Sequence, residues 1–220
     1  MSSRFTPRFE DLPEALPIFP LGGTILLPGR QLPLNIFEPR YLNMTLDVLG
    51  GSRMIGMVQP APAATRSGGD PVRRIGCAGR ITSFSESGDG RLMIVLTGVC
   101  RFAIAEELES HHGYRIVTPD WSDFPDDLDP DREVSFDRRG LHEVLERLVE
   151  YRGLQLDWEQ AEALPDPVYV DAFAMNLPLP DEEKQALLEA EDVDARAHLL
   201  AGLANMVLSG GGESTSIHAH

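Results

Sequence analysis

The stretch LPIFPLGGTILLPGRQLPLNIFEPRY, residues 16–41, decides the fold because its apolar residues are interrupted at short intervals. Four prolines and three glycines lie among them before the closing Glu38-Pro39-Arg40-Tyr41. A proline has no amide hydrogen to donate to a neighbouring strand, so it is rare in central strands. The stretch therefore predicts edge strands, bulges and turns, with short strands at Ile18-Phe19, Ile25–Leu27 and Leu32–Ile36.

The end of this stretch predicts a helix. Proline is well tolerated at the first helical position, and an acidic side chain beside it suits the positive end of the helix dipole. Apolar residues then follow at helical spacing as far as Leu49, and Gly50-Gly51 is a typical helix end. The set Glu38, Arg40 and Tyr41 is thus interpreted first as a helix-start and packing motif.

The remainder of the first half predicts further strands. An apolar run covers Met54–Val58, residues 60–73 read as a mobile loop, and Asp89-Gly90 is a hairpin signal. The other predicted strands are Ile75–Phe84, Arg91–Leu96, Cys100–Ala105 and Tyr114–Val117. Many short strands with one helix are typical of a small closed or half-closed β-barrel.

The second half predicts helices after an Asp- and Pro-rich boundary at residues 119–135. Apolar stripes and capping residues indicate four of them, starting near Leu141, Asp166-Pro167, Pro180 and Asp192. The fold class is α+β, with a β-rich lobe over 13–120 and an α-helical bundle lobe over 137–209. An acidic, Pro-rich linker at 121–136 joins the two lobes, and 210–220 is a disordered tail.

The charge distribution divides at the same place. Residues 1–118 carry 12 arginines and 11 acidic side chains, whereas 119–220 carry 7 basic and 24 acidic ones, for a total charge of −16. Such an acidic chain is a poor general nucleic-acid binder because contacts to phosphates supply most of that affinity. An RNA-binding role would need the arginines of the first half: Arg66, Arg73, Arg74, Arg80 and Arg91.

Composition excludes several other classes. No apolar run is long enough to span a membrane, and the first 15 residues show no secretory signal, so a cytoplasmic location is expected. Cys77 and Cys100 cannot form a four-cysteine zinc site and are predicted to be buried thiols on strands, with a disulfide between them as the alternative. His142 and Glu146 are predicted to form a surface pair. No metal or other cofactor is predicted.

The motifs of common catalytic sites are missing. The chain contains no G-x-x-x-x-G-K-[ST] phosphate loop and no G-x-S-x-G nucleophile motif. The one lysine, Lys184, lies in the acidic segment Asp181–Lys184, which predicts an exposed helix start. Acidic neighbours raise the pKa of a lysine, which is unsuitable for a general base. No catalytic residue is predicted, and the chain is interpreted as non-enzymatic.

An ordered series of loose motifs resembles one family. These motifs are Leu16–Leu21, Leu26–Gly29, Leu34–Tyr41, Gly76–Ile81 and Leu96–Phe102, followed by Leu187–Glu189 and Arg196 in the helices. Together they resemble the N-terminal, substrate-binding domain of the Lon protease over about residues 13–208. The resemblance implies a PUA-like topology for the β-rich lobe.

The resemblance also implies a function. The chain would recognise unfolded or extended polypeptide segments, alone or with a protease or chaperone, as a monomer or a weak homodimer. An exposed strand edge can accept an extended peptide, and loops on a rigid scaffold often carry binding sites. Phe37, Tyr41, Arg101 and Phe102 are the candidate peptide-binding residues. Phe37 and Phe102 have an alternative role in the core, whereas Arg101 is expected to be more exposed. The alternative function is an RNA-binding adaptor using Arg66–Arg91.

Overall fold

A computed structural model describes residues 8–62, 71–109, 113–129 and 134–210. Most of the predicted 60–73 loop, with Arg66, and nearly all of the predicted tail lie outside these residues. The chain divides into two compact units. Unit 1 combines Met1–Arg132 with Pro178–Leu188, and unit 2 combines Glu133–Leu177 with Glu189–His220.

The described residues form a mixed α/β structure with six strands and six α-helices. The strands are β1 (Leu16–Pro20), β2 (Gln31–Ile36), β3 (Met54–Val58), β4 (Ile75–Glu86), β5 (Leu92–Leu108) and β6 (Arg115–Asp120). The helices are α1 (Pro39–Leu49), α2 (Arg138–Tyr151), α3 (Trp158–Glu162), α4 (Asp166–Asn176), α5 (Asp181–Glu189) and α6 (Val193–Gly210). Short 3₁₀ turns occur at Phe9–Asp11 and Pro125–Leu128.

The six strands form one sheet in the order β2-β5-β4-β3-β1-β6. Strand β5 is long enough to pair with β2 and β4 and also, beyond Ala103, with β6. The pairings therefore run from β5 through β4, β3, β1 and β6 back to β5. β1 and β3 are parallel, and the other pairs are antiparallel. β2 pairs with β5 alone among the described strands, so it is an edge, as its proline predicted.

β1 is not an edge strand, although it contains Pro17 and Pro20. It pairs with β6 through Leu16–Ile18 and with β3 through Ile18–Pro20. Pro17 therefore lies where only β6 is paired, and Pro20 where only β3 is paired. Each proline has one side without a ladder, which explains how an internal strand accommodates both.

The strand predicted at Ile25–Leu27 and the break predicted between the strands Arg91–Leu96 and Cys100–Ala105 were both wrong. One close backbone contact explains both. Ile25–Leu27 is buried but forms no strand, and β5 continues without a break through Gly98. The two segments touch closely: a Cβ on Gly98 would lie 2.1 Å from the Leu27 carbonyl oxygen. Glycine at position 98 therefore marks a close backbone approach and not the end of a strand.

The core of unit 1 surrounds Phe102, which is 0% exposed. A Cβ on Gly56 would lie 2.7 Å from the Phe102 ring and one on Gly76 3.1 Å, so glycines on neighbouring strands leave space for the ring. Cys77 and Cys100 are buried on β4 and β5 as free thiols, which confirms their prediction.

Helix α5 packs in unit 1, whereas the sequence grouped it with the helical residues 137–209. Leu187 and Leu188 are 0% and 2% exposed, and the Gln185 amide donates a 3.0 Å hydrogen bond to the Ile75 carbonyl. The prediction that Lys184 is exposed was wrong, since 4% of it is exposed. Burial lowers the pKa of its ammonium group, and the nearby Asp181 opposes this shift.

Unit 2 is helical among its described residues. The predicted apolar stripe of α2 is buried, and Asp192 accepts a 2.7 Å hydrogen bond from the Ala195 amide at the start of α6, as predicted. The short helix α3, capped by Asp157, was not predicted. His142 contacts the Tyr169 hydroxyl at 3.0 Å and Glu162 at 3.2 Å, so its partners differ from the predicted Glu146.

Candidate functional site

The candidate site is a three-stranded part of the sheet, here named the arm. It comprises residues 31–37 around β2, residues 91–97 of β5 and its preceding turn, and residues 82–86 of β4. The predicted Asp89-Gly90 turn connects the last two, with Gly90 at φ +79°. Backbone pairing in register, Asn35 with Met93 and Met93 with Ser85, holds the three segments together.

The arm exposes large apolar side chains. Phe37 is 61% exposed, Phe84 53% and Met93 46%. Phe84 pairs with the buried Ile94, so it lies on the opposite face of the sheet from Met93. Large apolar groups on a rigid strand framework cost free energy in water and are available for contact with an apolar ligand.

Phe37 is held beside a cationic group. The Arg91 guanidinium carbon lies 5.8 Å from the centre of the Phe37 ring, and Arg91 also forms a 3.0 Å ion pair with Asp89. The position of Arg91 next to Leu92, which pairs with Ile36, explains this contact. The ring therefore keeps a defined position while most of its surface faces solvent.

Tyr41, the second predicted site residue, is buried at the start of α1. It is 6% exposed, and its ring centre lies 4.2 Å from that of Phe19. The guanidinium of Arg40 lies over the Tyr41 ring at 4.5 Å and donates to Glu38 at 2.9 Å. Burial raises the pKa of the Tyr41 hydroxyl. The set packs and orients the helix start, as the sequence first indicated.

Arg101 was expected to be exposed, and this was wrong, because 3% of it is exposed. Its Nε and Nη2 donate to the Asp127 carboxylate at 2.9 and 2.8 Å, and its Nη1 donates to the Leu188 carbonyl at 3.1 Å. The guanidinium also lies 4.7 Å from the Phe124 ring centre. A buried guanidinium is tolerated when its donors and charge are satisfied in this way.

The four predicted residues are therefore not brought together. Phe37 is on the surface, whereas Tyr41, Arg101 and Phe102 are enclosed by the protein. Met93 and Phe84 were missed as surface residues. Side chains alternate between the two faces of a strand, and the Asp89-Gly90 hairpin indicates a strand over Leu92–Leu96. These two features could have shown that Met93 lies on the opposite face from the buried Leu92 and Ile94.

Two arginines of the RNA alternative already contact acidic groups. Arg73 lies 3.5 Å from Glu182, and Arg91 lies 3.0 Å from Asp89. Arg66 lies outside the described residues. These ion pairs reduce the positive charge that could face a phosphate backbone.

Two other kinds of site have no candidate in the described part of the chain. Among the described residues, His, Cys, Asp and Glu side chains do not form a group of three that could hold a metal ion. No helix within the described ranges combines the length and apolar composition needed to cross a membrane.

Comparison with known families matches nearly the whole chain. The family described as the ATP-dependent protease La (LON) substrate-binding domain matches residues 15–205. The Lon protease 2 of Myxococcus xanthus is 28% identical over 204 residues, covering 89% of this chain and 24% of that protein. The Lon protease of Anaeromyxobacter dehalogenans is 26% identical over 200 residues, with the same coverage. The chain thus spans about a quarter of the length of these curated relatives.

Two solved structures share the fold. A Lon N-terminal domain protein from Xanthomonas campestris superimposes with a TM-score of 0.60 at 24% identity, covering 86% of this chain and 97% of that one. The N-terminal domain of the Mycobacterium avium complex Lon protease gives 0.58 at 17% identity, covering 87% and 98%.

Proposed function

Because the chain belongs to the Lon substrate-binding domain family, we propose that it is a non-enzymatic module that binds polypeptide segments. The matched region is the substrate-binding domain, and the match does not extend to the ATPase or protease domains of Lon. In this proposal the arm carries the contact surface, and Phe37 is the one predicted contact residue that remains at the surface.

The observation that carries this proposal is the exposure of Phe37 and Met93 on a hydrogen-bonded framework. Unfolded chains expose apolar side chains that folded proteins bury, so an exposed, rigid apolar surface discriminates in their favour. The backbone pairing on both sides of Met93 limits the entropy lost on binding. The arm has little net charge, and its contacts to a client are mainly apolar. Such a surface is suited to clients of varied sequence.

We extend the proposal to the setting of the module. The closed series of pairings from β5 back to β5 supports a PUA-like barrel in the first unit. The protein acts in the cytoplasm as a monomer or weak homodimer and passes clients to a protease or a chaperone. In this proposal the first segment of the β-rich lobe extends to residue 132, beyond the predicted start of the linker at 121, because Asp127 is buried against Arg101. The ion pairs of Arg73 and Arg91 favour polypeptide over RNA.

The test measures binding to reduced, carboxymethylated α-lactalbumin, a permanently unfolded protein, by fluorescence anisotropy. The variant F37S/M93S is expected to bind at least about tenfold more weakly, since large apolar contacts dominate binding energy. L46S is the matched control, because Leu46 is 57% exposed on α1 and is not part of the three segments of the arm. It is expected to bind like the wild type.

The same assay separates the alternatives. Unchanged binding by F37S/M93S, or an equal loss in L46S, would contradict the placement of the surface on the arm. A single-stranded RNA oligonucleotide is titrated in parallel at low and moderate salt. Binding to RNA that exceeds binding to the unfolded protein, and that disappears with salt, would replace the proposal with the RNA-binding function.

A further inference from the structure

The free edge of β2 offers a defined pattern of backbone groups, and we propose that this pattern docks an extended client segment while excluding a second copy of β2. Gln31 and Asn35 supply the pairing positions, and Pro33 forms a gap between them. The inference rests on the proposed function. It adds the strand edge with which the client backbone pairs and a reason why this edge prefers a client to a second copy of β2.

One hydrogen bond determines which way the backbone groups of β2 face. The Gly98 amide donates to the Arg30 carbonyl at 2.8 Å, so the carbonyl of Arg30 faces β5. In an antiparallel pair the residues whose backbone groups face the partner alternate along the strand. Leu32, Leu34 and Ile36 therefore face β5, opposite Leu96, Ile94 and Leu92.

The intervening residues direct their backbone groups to the free edge. These are Gln31, Pro33 and Asn35, and all three side chains are exposed. The position of Pro33 agrees with this assignment, because its missing amide hydrogen would otherwise interrupt the pairing with Val95. In the described part of the chain no other strand pairs with this edge.

An incoming strand therefore finds two amide donors and three carbonyl acceptors. It can form full pairs with Gln31 and Asn35, and it can donate to the Pro33 carbonyl. A single client carbonyl, the one facing Pro33, is left without its donor. An extended segment of almost any sequence can tolerate this, since one net hydrogen bond contributes only about 1 kcal/mol.

A second copy of β2 is at a disadvantage in the symmetric arrangement. Two identical strands that pair antiparallel about a two-fold axis through Pro33 place the two prolines opposite each other. That pair has no amide donor at all, so two hydrogen bonds are lost instead of one. The edge therefore favours a client strand over self-pairing, which is the hazard of an exposed edge.

The charge and side chains of the edge indicate the chemistry of the client. β2 contains no charged residue, and Phe37 follows it immediately. A client strand along this edge thus meets no charged side chain on β2 and gains an apolar contact beyond Ile36. We expect extended segments with an apolar residue near one end of the paired region to be preferred.

The direction in which the β2 amides face is tested by adding a proline at position 34 in one variant and at position 35 in another. L34P removes an amide that faces β5 and is expected to lower the midpoint of thermal unfolding by roughly 6–12 °C. N35P removes an amide that faces the free edge and is expected to lower it by less than about 2 °C. Equal losses in the two variants, or failure of N35P to fold, would overturn the assignment.

Client docking is tested with the same variants and with carboxymethylated α-lactalbumin. N35P is expected to bind about fivefold more weakly, the effect of one lost donor, whereas N35A retains the amide and binds like the wild type. P33V supplies the missing donor, so it is expected to bind about fivefold more tightly and to form dimers in light-scattering chromatography.

The outcomes separate this inference from the proposed function. If F37S/M93S loses binding while N35P and P33V behave like the wild type, the polypeptide-binding function stands and the edge-docking inference is overturned. If all of these variants bind like the wild type, edge docking and the placement of the contact surface on the arm are both overturned, whereas a wild-type protein that does not bind the client would overturn the polypeptide-binding function. If P33V dimerises but binds the client no more tightly, the edge serves self-pairing only, which also overturns client docking.

Discussion

Arg101 shows how a charged residue becomes part of a core. Its guanidinium and the Asp127 carboxylate are both almost fully buried, with side-chain exposures of 4% and 8%. Burial alone would lower the pKa of Arg101, but the hydrogen bonds and charge of Asp127 more than offset this effect. The pair also fixes the backbone, since the Arg101 amide donates to Asp127 at 2.8 Å.

We predict that D127A will destabilise the protein by about 3–5 kcal/mol, because it leaves a buried charge without its partner. Urea unfolding followed by circular dichroism measures this change. The control is E143A, which removes an exposed ion pair with Arg139 at 3.0 Å. That change is expected to stay within about 1 kcal/mol. Similar effects of the two variants would argue against a structural role for the buried pair.

The two cysteines give a second prediction at the residue scale. Burial raises the pKa of Cys100 to about 12 and that of Cys77 well above its ordinary value. Thiolates are the reactive species, so neither cysteine is expected to react with Ellman's reagent in the native protein at pH 8. Both should react in urea. Rapid reaction of a thiol in the folded protein would contradict the burial of these strands.

At the scale of elements, β5 organises unit 1. It pairs with β2, β4 and β6 along its 17 residues, and this length depends on Gly98. A strand that passes so close to the Leu27 carbonyl has no space for a side chain there. The buried segment Ile25–Leu27 can therefore lie against the sheet without being a strand of it.

We predict that G98A will destabilise the protein by about 2 kcal/mol or more, because the new methyl group must displace backbone atoms. G88A is the matched control. A Cβ there meets no atom within 4 Å, and Gly88 is not among the glycines with positive φ. Thermal unfolding should show a clear loss for G98A and almost none for G88A. Equal stability of both variants would show that the close approach at Leu27 is not required.

At the scale of the whole molecule, unit 1 is built from two separate chain segments. Helix α5 contributes Leu187 and Leu188 to it, and the Leu188 carbonyl accepts from Arg101. The Asp181 carboxylate accepts a 2.7 Å hydrogen bond from the Gly23 amide. The first 132 residues therefore lack part of their own core and of their hydrogen-bond network.

We predict that a fragment of residues 1–132 will not unfold cooperatively, because its core is incomplete. Joining residues 178–189 to it through a flexible Gly/Ser linker of roughly 20 residues should restore a cooperative transition. Near-ultraviolet circular dichroism during thermal unfolding measures both. Cooperative unfolding of the fragment 1–132 alone, at the wild-type midpoint, would show that α5 is dispensable.

The sequence by itself determined the local structure wherever short-range chemistry decides it. α1 begins at Pro39 and ends before Gly50, the Asp89-Gly90 turn connects β4 to β5, and Asp192 caps α6. The ordered motifs were also sufficient to indicate the family, which the match over residues 15–205 confirms. These features depend on backbone torsion angles, caps and apolar periodicity within a few residues, which a sequence displays directly.

Only the tertiary structure decided which residues are accessible. Arg101 and Lys184 are buried because Asp127, Leu188 and the packing of α5 enclose them, and these neighbours are distant in sequence. Phe37 is exposed just beyond the edge strand β2, and Met93 is exposed on the face of the sheet opposite to that of the buried Leu92 and Ile94. The cost of burying a charge depends on partners that folding brings together. For the same reason the four predicted residues do not form one site, and the candidate contact surface is the arm.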